Sequence, residues 1–451
     1  MKIIIVGCGK VGYTLAQQLN EEGHDITVVD INSEKIEQAM STLDVQGVEG
    51  NGTTFNTLLE AGIKISDLLI AVTARDEVNL LCCLMAKKTG NCNTIARVRN
   101  PEYVSELSYL REGLGLSMVI NPELTCARGI SNLIEVPSAL DFTTFGKGRA
   151  NLIKLSIPEG SVVDNMTVID FAKKVHSKTL ICAIEREHEV IIPNGSTVLQ
   201  ENDKMYVVIP PSELHALLSK IGIKAKPIKN VMITGGSRIA YYLAKRLEEA
   251  HIRVKIIERD FQHCERLSEL LPHTLIIHGD ATDRQVLLEE GIDDIDAFVS
   301  LTNMDEENLV LSLFANKVST AKIITKVDKV AFEEVIGDLP VGTIACPKNI
   351  TAKSIIQYVR GLQNSFGSNI ETLYRIIDDK AELIEFNVTQ DSKLTGVPLM
   401  ELNLKKSLLV CAIFRKGKII TPSGKDTIEP GDSVLVVTTI KGLADVTDIL
   451  V

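Results

Sequence analysis

The feature that most constrains this chain is that it reads twice. Gly7 of VGCGKVG recurs as Gly235 of ITGGSRIA, 228 residues on, and Asp30, closing ITVVD, recurs as Glu258, closing VKIIE, at the same offset. Gly50 of GNGT matches Gly279 of GDAT, Thr73 of TARDEVN matches Thr302 of TNMDEEN, Arg97 of IARV matches Lys326 of ITKV, and Cys182 of LICAI matches Cys411 of LVCAI, all at 229. Coincident offsets across polar motifs mark an internal duplication, so the chain must build one architecture two times. At 451 residues, 45% of them apolar, it has room for three or four units of about 150 residues.

Within each half the rhythm changes midway. Residues 2 to 120 alternate short apolar runs (KIIIV, DITVVD, DLLIAV, TIARV) with helical stretches such as Tyr13 to Glu22 and Glu77 to Lys88, the pattern of a parallel sheet covered by helices. Asn121-Pro122 and Cys346-Pro347 place proline in the first turn of a helix, here at an offset of 225, so a short deletion precedes this helix and an insertion follows it. A hairpin comes next, turning at Gly146 to Gly148 in the first half and at Asp378 to Lys380 in the second. Strands then dominate residues 150 to 210 and 382 to 440, with one helix-like piece at Val168 to Val175. Asn194-Gly195 and Ser423-Gly424 supply turns tolerant of positive φ, and Asn202-Asp203 and Gly431-Asp432 punctuate the approach to the last strand. The lysine-rich run from Leu214 through Lys220, Lys224, Lys226 and Lys229 reads as a solvated connector. The expected fold is α/β: two tandem Rossmann-like parallel-sheet domains, residues 1–140 and 226–370, each followed by a small β-rich α+β module, residues 141–225 and 371–451.

Composition removes several classes of function. A formal net charge of -11 argues against a nucleic-acid binder, which needs an excess of Lys and Arg over its contact surface. Apolar runs such as LLIAV are far shorter than the ~20 residues of a membrane helix, so any membrane role is borrowed from a partner. We expect no secretory signal ahead of the strand beginning at Lys2. Nine cysteines without a CxxC pair point to a reducing compartment, the cytoplasm, and adjacent Cys82 and Cys83 in an apolar helical run read as buried thiols.

The glycine loop carries the functional signal. A phosphate-binding strand-to-helix turn needs glycine to turn tightly, glycine again to let a phosphate approach backbone amides, and a small third residue for packing; Gly7, Gly9 and Gly12 supply these. Lys10 adds a charge for a terminal phosphate. Asp30, 18 residues past Gly12, is placed to accept ribose hydroxyls, and its charge favours NAD(H) or another unphosphorylated adenosine ribose over NADP(H). In the second loop Ser237 and Ala240 replace two of the glycines, while Arg238 and Glu258 keep the cation and the acid. The expectation is a nucleotide site in each half, the second weaker or different in ligand. In TARDEVN and TNMDEEN, a threonine ahead of acidic first-turn residues caps a helix and complements its dipole; alternatively Thr73 and Ala74 stand beside the nucleotide at the carboxyl ends of the strands. Asn51, Gly52, Arg97 and Val98 lie at neighbouring strand ends. His24 and His251 read as caps of surface turns.

On GCGKVG, Asp30, GNGT, TARDEVN, GDATD and TNMDEEN together, the chain resembles the TrkA family, cytosolic regulatory subunits of Trk-type bacterial potassium uptake systems built from two tandem RCK (also called KTN) units. The resemblance implies binding of NAD(H), and in some relatives of ATP or ADP. It also implies a homo-oligomer, a dimer or tetramer ring, peripheral on the inner face of the cell membrane against a potassium transporter subunit. It assigns nucleotide contacts to Gly7, Cys8, Gly9, Lys10, Val11, Asp30, Asn51, Gly52, Thr73, Ala74, Arg97 and Val98, and in the second half to Gly235, Gly236, Ser237, Arg238, Ile239, Glu258, Gly279, Asp280 and Thr302. Asn51 departs from the usual acid of that motif. No catalytic residue is implied. The competing reading, an NAD-dependent dehydrogenase, needs a substrate domain with an acid/base constellation, and each Rossmann-like part is followed only by a short β-rich module lacking one.

Overall fold

The computed structural model describes every residue except 105, 176–177, 223–226, 329–338, 365–368, 378–379, 390–391 and 444. Asp378 and Asp379 of the second hairpin turn, and Lys224 and Lys226 of the connector, therefore lie outside the described residues.

The chain forms two compact units, Met1–Ile130 with Asn230–Ile356 and Ser131–Lys229 with Gln357–Val451. The first holds two parallel sheets. One is ordered β3-β2-β1-β4-β5-β6, with β1 Lys2–Val6, β2 Asp25–Asp30, β3 Gln46–Glu49, β4 Leu68–Ala71, β5 Asn93–Arg97 and β6 Met118–Ile120. Its central strands are continuous apolar runs because helices cover both faces: β4 is buried throughout, and β1 is buried from its second residue. Strand order reverses between β1 and β4, which opens a crevice at their carboxyl ends. Ahead of the second Rossmann-like sheet lie β7 Ala139–Phe145, β8 Ala150–Ser156, β9 Leu180–Arg186, β10 Glu189–Ile191 and β11 Lys204–Ile209. That second sheet repeats the first order as β14-β13-β12-β15-β16-β17, with β12 Asn230–Thr234, β13 Arg253–Glu258, β14 Leu275–His278, β15 Ala297–Ser300, β16 Lys322–Lys326 and β17 Thr343–Ala345.

The second unit holds two antiparallel sheets, ordered β10-β9-β11-β8-β7 and β18-β19-β22-β20-β21, the latter from β18 Ile370–Ile376, β19 Ala381–Asn387, β20 Leu408–Arg415, β21 Lys418–Ile420 and β22 Ser433–Thr438. The helix expected at Val168 to Val175 is present. The modules share one core in which Phe145, Cys182 and Tyr206 pack with Leu383, Cys411 and Phe414. Cys82 and Cys83 are fully buried on the helix Asp76–Gly90.

Two turn expectations need correction. Gly195 and Gly424 do not use positive φ; the left-handed pairs are Glu187-His188 and Lys416-Gly417, which close β9–β10 and β20–β21. A two-residue hairpin demands positive φ at both central positions, whereas Asn194 makes its turn by accepting the Ser196 N–H at 3.0 Å. Gly146, Lys147, Gly148, Asn202 and Gly431 are left-handed where turns were expected.

Candidate functional site

The glycine loop is built by two backbone constraints and one opening. Gly7 follows β1 with φ of 101°, and a Cβ there would stand 2.9 Å from the Thr73 backbone nitrogen. A Cβ on Gly12 would lie 1.8 Å from the Gly7 oxygen. Both glycines are thus demanded by the turn itself. Gly9 differs: its Cβ would meet no described atom within 4 Å, and as N-cap of the helix Lys10–Glu21 it leaves the first-turn N–H groups without a side-chain cap among the described residues. Uncapped amides at the positive end of a helix dipole suit an anion.

Asp30 holds this loop from the neighbouring strand. Its carboxylate accepts the Cys8 N–H at 2.7 Å and the Asn32 N–H at 3.0 Å. Glu258 repeats the device on the second loop, accepting Gly236 N–H at 2.7 Å and Asp260 N–H at 2.8 Å. Asn51 and Asp280 also match: each accepts a backbone N–H two residues on, from Thr53 at 3.1 Å and from Thr282 at 2.9 Å. An amide and a carboxylate do the same turn-forming work at that position.

A cavity of about 1070 Å³ opens in the first unit where the two repeats face each other. Of the expected contacts, Gly7, Gly9, Lys10, Val11, Asp30, Asn51, Gly52, Thr73, Ala74 and Arg97 line it. Cys8 and Val98 are buried behind it. The second loop contributes Ser237, Arg238 and Ile239 to this same cavity, whereas Gly235, Gly236, Glu258, Gly279, Asp280 and Thr302 do not line it. Ser237 also spends its hydroxyl on its own helix, accepting the Ala240 N–H at 3.4 Å.

The lining is strongly basic for a chain of net charge -11: eight Lys and Arg side chains against the three carboxylates of Asp30, Glu123 and Asp328. Arg97 donates to the Thr73 carbonyl, and burial, followed by the neighbouring Arg99 charge, lowers its pKa to about 10. Lys326, its counterpart, reaches the Thr302 carbonyl at 3.4 Å and Asp328 at 2.8 Å. Glu123 lies 3.9 Å from Arg99; burial raises its carboxyl pKa against the opposing pull of its own backbone N–H and of Arg99, Arg97 and Arg238.

The helix-capping reading of TARDEVN does not hold. The N-cap positions are Arg75 and Met304, neither with a side-chain cap bond. Asp76 instead accepts the N–H groups of Arg99 and Asn100, both at 2.8 Å, clamping the segment after β5, and Asp305 accepts the Asp328 N–H at 3.0 Å. The acids still sit in first turns, where they complement the dipole. The organising residues are the last letters of the two motifs. Fully buried Asn79 accepts the Thr73 N–H at 2.7 Å and donates to the Thr73 and Arg97 carbonyls at 3.2 and 2.9 Å; Asn308 makes the matching three bonds to Thr302 and Lys326. Their shared offset of 229 in apolar helices was the available signal. Reading the sequence also missed Arg99, Glu123 and Lys348 on the cavity wall. His24 is no surface cap: it is buried, with its ring 3.3 Å from the Met1 amino group. His251 is an exposed left-handed residue at a turn.

The TrkA-N domain model matches residues 3–122 and 231–347, and the TrkA-C domain model matches residues 152–222 and 383–451. The chain is 34% identical over 437 residues to the Trk system potassium uptake protein TrkA homolog of Archaeoglobus fulgidus, covering 97% of each. It is 32% identical over 440 residues to Trk system potassium uptake protein TrkA of Haemophilus influenzae, covering 97% of this chain and 95% of that one. Among solved structures, the GsuK channel bound to NAD superposes with a TM-score of 0.65 at 18% identity, over 97% of this chain and 76% of that one, a likeness of fold.

Proposed function

Because the chain belongs to the TrkA family, with a TrkA-N and a TrkA-C domain in each half, we propose that it is the nucleotide-binding regulatory subunit of a Trk-type potassium uptake system and binds its ligand without turning it over. The observation that carries this reading is the uncapped glycine loop opening on a basic cavity. In it the amides at Gly9, Lys10 and Val11 receive a diphosphate, Asp30 uses its remaining lone pairs on the ribose, and Asn51, Gly52, Thr73, Ala74 and Arg97 shape the rest of the wall. NAD(H) fits these requirements; ATP and ADP fit them too, with Lys10 and Arg238 beside the terminal phosphates. GsuK, which shares the fold, was solved with NAD. We keep Gly235, Gly236, Glu258, Gly279, Asp280 and Thr302 as contacts of a weaker second site, and the functional division at residues 140, 225 and 370.

Regulation requires that ligand favour one conformation over another, since a ligand binding all states equally shifts nothing. Pro122 and Glu123 begin one helix, Pro122–Glu135, at the cavity, and Pro347, Lys348 and Thr351 begin another, Pro347–Asn364. Both helices run from the first unit's residues into the second's, so a ligand against their first turns presses on the elements that lead to the β-rich modules. The partner is the membrane subunit of the transporter, met at the inner face of the membrane by a homo-oligomer of this chain.

Calorimetric titration of the full chain with NAD, NADH, ATP and ADP tests the reading, repeated on Asp30→Ala and Glu258→Ala. We expect the parent to bind at least one of them, Asp30→Ala to lose that binding, and Glu258→Ala to keep it at the first site. A parent indifferent to all four, or an Asp30→Ala chain that binds as the parent does, overturns it.

A further inference from the structure

The second repeat places one buried side chain against the first repeat, and that contact reaches three parts of the cavity wall. The Tyr242 hydroxyl, on the helix Arg238–Glu249, donates to the Arg99 backbone oxygen at 3.1 Å and accepts from the Asn121 side-chain amide at 3.1 Å. Tyr242 and Asn121 are 6% and 5% exposed, so neither bond is replaceable by bulk water. Asn121 in turn accepts the Leu124 N–H at 2.9 Å, capping the helix whose first turn carries Glu123. Arg99 sends its guanidinium to the Ala74 carbonyl beside the glycine loop. Arg238 stands one turn ahead of Tyr242 on the same helix face. One hydroxyl therefore joins the elements that position Arg99, Glu123 and Arg238.

The duplication shows that the tie is a choice of this side of the molecule. Tyr242 aligns with Thr14 at the offset of 228, and Asn121 with Cys346 at 225. Thr14 turns its hydroxyl back to the Lys10 carbonyl at 2.9 Å, within its own helix. Cysteine has no amide with which to bridge a hydroxyl and cap a helix together.

We propose that Tyr242 is a positioning residue for phosphate recognition: through Arg99 and Asn121 it sets the cationic end of the cavity, and it couples the second repeat to the site of the first. This rests on the nucleotide reading above. The test is calorimetric titration of full-length parent and Tyr242→Phe with ATP and with adenosine, which shares the base and sugar but bears no phosphate. Losing one doubly used buried hydroxyl should weaken ATP roughly five- to thirtyfold and leave adenosine unchanged. Asn121→Ser should reproduce the pattern, because serine still caps the helix but is too short to reach Tyr242. If Tyr242→Phe binds ATP like the parent, or if ATP and adenosine weaken equally, Tyr242 does not position the phosphate end. A parent that binds neither compound overturns the nucleotide reading, and this inference with it.

Discussion

The two glycine loops of this chain are copies that kept one constraint and parted on another. Both turn through a left-handed glycine, Gly7 at 101° and Gly235 at 87°, and both are held by an acid that closes the next strand. At the helix start they differ. Gly9 leaves amides uncapped beside open space, while Ser237 fills the same place with its own hydroxyl. The glycine fingerprint therefore mixes two features: Gly7 and Gly12 are held by close backbone approach in the first loop, whereas Gly9 leaves an opening where a side chain would fit. The second loop keeps the turn glycine, Gly235, and replaces the other two with Ser237 and Ala240, and its Arg238 lines the cavity together with residues of the first repeat.

The largest expected effect tests the demand of the fold. Gly12→Ala drives a Cβ to 1.8 Å from a backbone oxygen and should cost about 3 kcal/mol or more in urea denaturation. Ala240→Gly, the converse in the second loop, should cost only about 1 kcal/mol, the penalty of glycine within a helix. Equal losses would mean that both loops relax alike and that Gly12 is not structurally required. Next comes Gly9→Ser, which imports the second loop's cap. Stability should move by only a few tenths of a kcal/mol, whereas NAD or ATP affinity measured by calorimetry should fall roughly ten- to a hundredfold as a side chain takes the phosphate's place. Undiminished affinity would erase the distinction between the loops. Smaller again is the pair Asp30→Asn and Glu258→Gln. Each weakens a charge-assisted bond to its loop, worth about 1 kcal/mol in stability, but only Asp30→Asn should lower nucleotide affinity, by about tenfold, because Asp30 lines the cavity and Glu258 does not.

The architecture was legible because strand, turn and helix periods are local and the duplication stated them twice. The two sheet types, the prolines opening Pro122–Glu135 and Pro347–Asn364, and the helix at Val168–Val175 all follow from pattern. What pattern does not encode is which copy faces which. Arg238 was assigned to a second site because it is local to that loop, yet it lines the cavity with Arg97 of the other repeat. Of the two readings of TARDEVN, the cap fails for a related reason: Asp76 accepts amides beyond its own helix, the Thr73 hydroxyl donates to Asn79 Oδ1 at 2.7 Å, and Asn79 spans to the Arg97 carbonyl 18 residues away. A motif's local grammar is silent about partners on the next strand. Asn194-Gly195 failed differently, since an Asx side chain made the turn and relieved the backbone of positive φ.

The finest contrast between the repeats is one position past the shared proline, where Glu123 in the first half corresponds to Lys348 in the second, both on the cavity wall. Burial raises the Glu123 carboxyl pKa from its ordinary 4.5, so folding shifts this group toward its protonated form relative to the unfolded chain. The stability tied to it is complete below that ordinary value and is lost as pH rises through the raised one. Two consequences follow with definite sign. As pH falls from neutral, this cavity carboxylate is neutralised ahead of ordinary ones, so binding of an anion should strengthen; NAD is the suitable probe, because its diphosphate keeps one charge state over that titration. Glu123→Gln should hold the strengthened affinity at pH 7.5, a few-fold tighter than the parent, and flatten the profile, while also making the ligand-free chain slightly more stable at pH 7.5. Lys348→Met should act oppositely on affinity, by a similar few-fold. Were NAD affinity in the parent to be flat with pH and Glu123→Gln to change nothing, the carboxylate would lie outside the ligand's field, and the charge difference between the two repeats would be a matter of local packing alone.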